Sequence, residues 1–133
     1  MRITKENIHE FIKGTKLLFY NKDVTKIDYI PEGITHLHCY NNQLTSLPKL
    51  PESLIRLICF NNKLTKLPHL PEGLVILNCD NNNITSLPKL PESLERLNCR
   101  YNNLPYEIKI DNFKEHNTLI KRKEILEKIR IYH

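Results

Sequence analysis

The stretch LHCYNNQLTSLPKLPES, which runs from Leu37 to Ser53, returns twenty residues later as LICFNNKLTKLPHLPEG and decides the fold. Five positions of this stretch recur at steps of twenty residues in four copies. They are Ile34, Leu54, Leu74 and Leu94; Leu37, Leu57, Leu77 and Leu97; Cys39, Cys59, Cys79 and Cys99; Asn42, Asn62, Asn82 and Asn102; and Leu44, Leu64, Ile84 and Leu104. A strict period of this length is typical of a solenoid, in which each copy forms one coil that stacks on the next.

Within each copy the residue alternation predicts a short strand. In HLHCY, Leu37 and Cys39 point to one face of the strand, and His36, His38 and Tyr40 point to the other. Because parallel strands lie about 4.8 Å apart, each buried position becomes a column of like side chains. We expect the recurring asparagines to bond the main chain of their own coil and of the next one. The return segments, such as TSLPKLPES, hold two prolines within four residues and are predicted to be extended or polyproline-like.

Residues 14–104 are predicted to form five repeats, of which the first is degenerate. In that copy Gly14 replaces the opening leucine and Lys22 replaces the asparagine. Terminal repeats are expected to be atypical because one of their faces meets a cap or water.

A helical cap is predicted at each end of the repeats. Residues 1–13 form a short N-terminal helix with Thr4 as its N-cap, and residues 105–133 carry a longer helix with Asp111 or Asn112 as its N-cap. A chain of 133 residues has room for the caps and repeats as one structural domain.

The repeat reads L-x-x-L-x-C-x-x-N-x-L, and this pattern resembles the leucine-rich repeat. It is similar to the short repeats of effector proteins from enteric bacteria, and still more to those of leucine-rich-repeat proteins encoded by giant DNA viruses of amoebae, which share CYNNQLTSLP and the closing NNLPYEI. The resemblance implies a viral leucine-rich-repeat solenoid whose curved parallel β-sheet lines a concave face and binds proteins. The ubiquitin-ligase domain of bacterial relatives is not implied, because no cysteine follows Leu104.

The cysteine spacing argues against a metal centre and against disulfides. Tetrahedral zinc needs four thiolates about 2.3 Å from one point, whereas a column of four spreads over about 14 Å. A disulfide needs Cβ atoms about 3.8 Å apart, closer than neighbouring strands hold them. Cys39, Cys59, Cys79 and Cys99 are therefore predicted to be buried, inert free thiols. His36 and His38 have no further ligands in their columns, so no metal or other cofactor is expected.

Enzymatic motifs are missing from the sequence. There is no G-x-S-x-G or H-E-x-x-H pattern, and none of the three glycines builds a phosphate-binding loop. We therefore expect no catalytic activity.

The strand residues on the concave face vary from copy to copy, unlike the interior columns. The candidate partner-binding residues are Tyr20, His36, His38, Tyr40, Arg56, Ile58, Phe60, Asp80, Arg96 and Arg100. Exposed aromatic residues beside arginines are typical of interaction hot spots. The sequence thus predicts a non-catalytic scaffold that binds a protein, a host protein by the viral resemblance, through its concave face.

Two alternatives stay open. The repeats could bind nucleic acid through Lys16, Arg56, Arg96 and Arg100 together with stacked aromatics, although a net charge of +5 is modest. The C-terminal helix could instead join copies of the chain, so that the protein is a monomer or a weak homo-oligomer.

The cellular setting is predicted from what the sequence lacks. It contains no apolar run long enough to cross a membrane, and its N-terminus does not read as a secretory signal. We expect a protein of the reducing cytoplasm, including that of a host cell, with no membrane partner.

Overall fold

The computed structural model describes residues 1–132 as a β-solenoid of about five turns with parallel strands and a C-terminal helix. The elements in chain order are β1 (Arg2–Ile3), a 3-10 helix (Ile8–Phe11), β2 (Ile12–Lys13), β3 (Lys16–Leu18), β4 (Lys26–Ile27), β5 (His36–His38), β6 (Arg56–Ile58), β7 (Ile76–Asn78), β8 (Arg96–Asn98) and α1 (Phe113–Tyr132). His133, the last residue of the predicted C-terminal cap, lies outside the described residues.

The main sheet has the strand order β2-β3-β5-β6-β7-β8. From β3 to β8 the strands are parallel and step by twenty residues, so that Leu17, Leu37, Leu57, Leu77 and Leu97 lie side by side. The predicted solenoid with its parallel sheet and C-terminal helix is therefore confirmed. No helix among residues 1–132 has the length and apolar character needed to cross a membrane.

The core lies between the sheet and the return segments. The leucine column is fully buried from Leu17 to Leu77, and the cysteine column runs beside it. In the return segments, Leu50 and Leu70 are only 2% exposed, because the leucines of each segment point into the core. These segments contain no helix, and each complete coil turns where the amide of a residue such as Leu54 donates to the oxygen of Pro51 at 3.1 Å.

The N-terminal cap contains less helix than the sequence predicted. The helical part is four residues long, Ile8–Phe11, and Thr4 does not cap it; the amide of Thr4 instead donates to Asn7 Oδ1 at 2.8 Å. Ile12–Lys13 turns back at Gly14, which has φ +62°, and pairs antiparallel with β3. Pairing with the free edge of β3 is favoured over a longer N-terminal helix, because a helix this short is marginal in water and an open sheet edge leaves backbone groups unpaired.

Over residues 113–130, the C-terminal helix docks through its first two turns. Phe113 and His116 are buried there, whereas every residue from 121 to 130 is exposed. His116 Nε2 lies 3.0 Å from the oxygen of Pro88, and Asn117 exchanges two hydrogen bonds with the backbone of Leu90, at 2.8 and 2.7 Å. The helix is thus held against the last return segment by polar contacts and one phenylalanine.

Candidate functional site

The strands and the residues that directly follow them carry all ten predicted partner-binding residues on the outer face of the main sheet, which we call the concave face. The face carries three columns. They are Lys16, His36, Arg56, Ile76 and Arg96; Leu18, His38, Ile58, Asn78 and Asn98; and, two residues beyond the strands, Tyr20, Tyr40, Phe60, Asp80 and Arg100. Strand pairing alone brings these residues together, since each column joins residues twenty positions apart.

Three aromatic rings of the third column stack on one another. The ring centroids of Tyr20 and Tyr40 are 4.9 Å apart with an interplanar angle of 0°, and those of Tyr40 and Phe60 are 4.6 Å apart at 10°. These distances match the strand spacing, so in-register pairing forces the rings face to face. The inner ring faces are consequently occupied within the chain, and only ring edges and the outer faces remain for a partner.

The concave face carries positive charge that its own side chains do not neutralise. Arg56, Arg96 and Arg100 are exposed, and within the described chain they form no salt bridge. Asp80 lies in the third column, where its Oδ1 accepts the backbone amide of Arg100 at 2.6 Å. The face therefore presents an excess of cations to solvent.

His36 and His38 sit among these cations. Burial lowers the pKa of His36, and Arg56 and Lys16 lower it further. Burial also lowers the pKa of His38, with further lowering by His36, Lys16 and Arg56. His36 Nδ1 lies 2.8 Å from the hydroxyl of Thr35, whereas Nε2 of His38 is buried without a hydrogen-bond partner in the described structure.

A depression of about 230 Å³ lies on this face beside His38. Arg56 and Arg96 line it on either side of Ile76, and Ile58 and Asn78 contribute further to its lining. A larger open depression of about 890 Å³ lies at the C-terminal end, between the last coil and residues 104–111.

The four cysteines form an interior column of free thiols. Burial raises the pKa of Cys39, Cys59 and Cys79 well above the ordinary value. Cys99 is 7% exposed, and burial followed by the charges of Asp80 and Glu107 raises its pKa to about 11. Its thiol donates to the oxygen of Ile108 at 3.1 Å. Thiols in this state are poor nucleophiles and poor metal ligands. In residues 1–132 no group of three or more His, Cys, Asp or Glu side chains is arranged to hold a metal ion.

Asn42 shows how the recurring asparagines work. Its Nδ2 donates to the oxygens of Cys39 and Phe19, at 3.0 and 2.8 Å, and its Oδ1 accepts the amide of Val24 at 2.9 Å. The same pattern recurs at Asn62, Asn82 and Asn102. The sequence predicted bonds from each asparagine to its own coil and to the next coil. In the structure each asparagine bonds to its own coil and to the preceding one, because the backbone amides at this turn point forward along the solenoid.

Sequence reasoning missed the role of the residue before each of these asparagines. Asn41, Asn61 and Asn81 have φ of 55–56°, in the left-handed region. Their side-chain amides are hydrogen-bonded in a row, with Asn61 Nδ2 donating to Asn41 Oδ1 at 2.7 Å and Asn81 Nδ2 donating to Asn61 Oδ1 at 2.6 Å. The NN doublet carried the signal, since asparagine tolerates this conformation better than most residues.

The chain is similar to several solved structures. The fold is similar to that of YopM from Yersinia enterocolitica WA-314, with a TM-score of 0.64 and 39% sequence identity. The match covers 66% of this chain and 20% of YopM, so the chain spans about a fifth of the length of that protein. No protein-family model matches the chain, and no curated protein sequence matches it.

Proposed function

We propose that this chain, which is a leucine-rich-repeat protein, is a non-catalytic scaffold that binds a partner protein through its concave face. The observation that carries the proposal is the contrast between two sets of columns. The interior columns repeat the same residue types from coil to coil, whereas the concave columns differ from coil to coil, and the third of them changes from aromatic to charged residues. Packing accounts for the first set, and recognition of a partner accounts for the second.

YopM supports a scaffold role by its fold. YopM is a bacterial effector built from leucine-rich repeats, and this fold is generally non-enzymatic. By analogy, the partner is a protein of a host cell, met in the host cytoplasm.

The chemistry of the described residues also favours a scaffold over an enzyme. The most nucleophilic side chains, the four thiols, are buried and held in their protonated form. His36 and His38 are the concave residues suited to acid–base chemistry, and burial, followed by the charges around them, lowers the pKa of both. His36 Nδ1 bonds to the hydroxyl of Thr35, and that hydroxyl also lies 2.7 Å from the hydroxyl of Thr15, so it links neighbouring coils.

The aromatic stack does not favour the nucleic-acid alternative. Single-stranded nucleic acids bind by stacking bases on exposed aromatic faces. Here Tyr40 has a ring on each side, so its faces are already taken.

A charge-matched pair of variants tests the proposed function. The concave variant is Arg56→Glu with Arg96→Glu, and the control is Lys49→Glu with Lys66→Glu on the return segments; all four residues lie on the surface. Partners are captured on immobilised protein from an extract of the host cell and identified by mass spectrometry. We expect the concave variant to lose the specific partner and the control to retain it; equal recovery by both variants would contradict the proposal.

A salt titration of the same complex separates the two classes of partner. Contacts with several phosphates make the affinity fall steeply with salt, by orders of magnitude between 50 and 200 mM for a protein that contacts about six to ten phosphates. A protein partner bound through rings and a few charge pairs is expected to show a shallower dependence.

A further inference from the structure

We propose that the concave face binds an acidic, extended segment of the partner, with one carboxylate seated in the depression between Arg56 and Arg96, and that binding takes up a proton at His38. This inference rests on the proposed function and adds the chemistry of the partner to it.

The first support is an uncompensated column of cations. Lys16, Arg56 and Arg96 occupy alternate positions of one column, separated by His36 and Ile76. Over the described residues the side-chain salt bridges are Arg2 with Asp28 and Lys109 with Glu107, and none of them involves this column. Cations that face solvent without a salt-bridge partner attract a segment of the opposite charge.

The depression offers a seat for one carboxylate. Its volume of about 230 Å³ is several times the roughly 30 Å³ that a water molecule occupies in the liquid, so a side chain fits. Arg56 and Arg96 flank it, and each guanidinium presents paired donors that match a carboxylate. Asn78 uses its Oδ1 to accept the amide of Asp80 at 3.2 Å, which leaves its Nδ2 as a further donor. Ile58 and Ile76 form an apolar floor that strengthens these bonds.

His38 lines the same depression and has an unused ring nitrogen. Its Nε2 is buried without a partner in the described structure. The charged groups that face it are Lys16 on β3, His36 on β5 and Arg56 on β6, and Arg96 on β8 lines the same depression; all of them disfavour an added positive charge. In the free protein burial lowers the pKa of His38, and the charges of His36, Lys16 and Arg56 lower it further, which favours the neutral ring.

A carboxylate in the depression reverses this balance. It offsets the surrounding cations and favours the imidazolium, so the pKa of His38 rises on binding. Affinity then increases as the pH falls through the pKa of the complex and levels off below the lower pKa of the free protein. Each unit by which the pKa rises adds about tenfold to the affinity gained. A glutamate carboxylate has an ordinary pKa of about 4.3 and stays ionised through this range.

The spacing of the cations indicates the form of the acidic segment. Alternate strands lie about 9.6 Å apart, which separates Lys16 from Arg56 and Arg56 from Arg96. A polyproline II helix has three residues per turn and rises about 3.1 Å per residue, so every third side chain lies on one side at about 9.3 Å. An extended segment with an acidic residue at every third position matches the column.

Synthetic peptides test the proposal before the natural partner has been identified. The probe is acetyl-EPSEPSEPS-amide. One control replaces each glutamate by glutamine, a second has the same composition in the order EEEPPPSSS, and a third ligand is octauridylate. Binding is followed by NMR, from the side-chain resonances of the arginines and histidines, at pH 7.5, 6.5 and 5.5. The protein variants are Arg56→Glu with Arg96→Glu, His38→Gln, and the control His69→Gln on a return segment.

We expect the spaced glutamate peptide to shift the resonances of Arg56, Arg96 and His38, to bind about tenfold more tightly at pH 5.5 than at pH 7.5, and to raise the pKa of His38. The double arginine variant loses this binding. His38→Gln keeps binding at pH 7.5 but loses the pH dependence, and His69→Gln behaves as the wild type. Equal binding of the glutamine peptide, tighter binding of octauridylate, or an unchanged pH dependence in His38→Gln would overturn the proposal. If the double arginine variant loses its natural partner while no glutamate peptide binds, the proposed function stands and this inference fails.

Discussion

At the scale of single residues, Asn62 joins two coils through four bonds to backbone atoms, the longest of them to the oxygen of Phe60 at 3.4 Å. Its amide donates to the oxygens of Cys39 and Cys59, at 3.0 and 3.1 Å, and its oxygen accepts the amide of Leu44 at 3.0 Å. Asn62→Ala leaves these buried groups without partners and is expected to lower the free energy of unfolding by about 1–3 kcal/mol. Urea unfolding measures the change. Lys63→Ala, at the exposed neighbouring position, serves as the control, and equal stability of both variants would contradict this account of the asparagines.

Tyr101 occupies the position that asparagine holds in the four other coils, at Asn21, Asn41, Asn61 and Asn81. Its φ of +58° places its backbone in the left-handed region. Its side chain is 77% exposed, so burial of the ring does little to offset the cost of that conformation. Tyr101→Asn is expected to raise the free energy of unfolding by about 1 kcal/mol, because asparagine adopts this conformation at lower cost. Thermal unfolding provides the measurement. The reverse change at the matching position, Asn61→Tyr, should destabilise, and a loss of stability in Tyr101→Asn would show that the backbone there carries no strain.

At the scale of elements, the cysteine column makes stability depend on alkaline pH. Burial raises the pKa of all four thiols in the folded chain. Above the unfolded value of about 8.5, the unfolded chain releases protons that the folded chain keeps, so the stability that is full below about pH 8.5 is lost as the pH rises. The loss is about 1.4 kcal/mol per pH unit for each thiol until its folded pKa is passed, which for Cys99 is about 11.

Urea unfolding from pH 8 to pH 10 under reducing conditions measures this loss. A variant with valine or alanine at the four positions is the control, and it should show a flatter dependence on pH. The same slope in both proteins would mean that the thiols do not cause the alkaline loss. Because Cys99 is the most exposed of the four, it should also be the first to react with an alkylating reagent.

The elements differ in how far the sequence predicts them. The strands and their register follow from the twenty-residue period, because a shift of one residue would expose Leu57 and bury Arg56. The N-terminal cap was predicted less well, because pairing of β2 with β3 outweighs the local helical pattern. The stack of Tyr40 and Phe60 was predictable in principle from the strand spacing, which equals a ring-stacking distance. The unpartnered nitrogen of His38 depends on how neighbouring side chains pack, and no sequence pattern reports it.

At the scale of the whole molecule, the two halves of α1 make different contributions. Asn117 exchanges two hydrogen bonds with Leu90, whereas Leu126 in the outer half is 61% exposed. Asn117→Ala is expected to lower the free energy of unfolding by about 1–3 kcal/mol, because the backbone N–H and C=O groups of Leu90 lose their hydrogen-bond partners. Leu126→Gln should change it by less than about 0.5 kcal/mol.

Urea unfolding compares the two variants, and sedimentation of each reports its assembly state. A large loss of stability in Leu126→Gln, together with a smaller particle, would show that the outer half of the helix joins copies of the chain. That result would favour the oligomeric alternative over a monomeric scaffold.

Photo-crosslinking from two positions tests whether the partner lies on the concave face, with p-benzoylphenylalanine in place of Ile58 on the concave face or Thr65 on a return segment. Each protein is irradiated in an extract of the host cell, and the crosslinked partner is identified by mass spectrometry. We expect the specific partner to be crosslinked from position 58 and not from position 65. Crosslinking of that partner from position 65 alone would contradict this expectation.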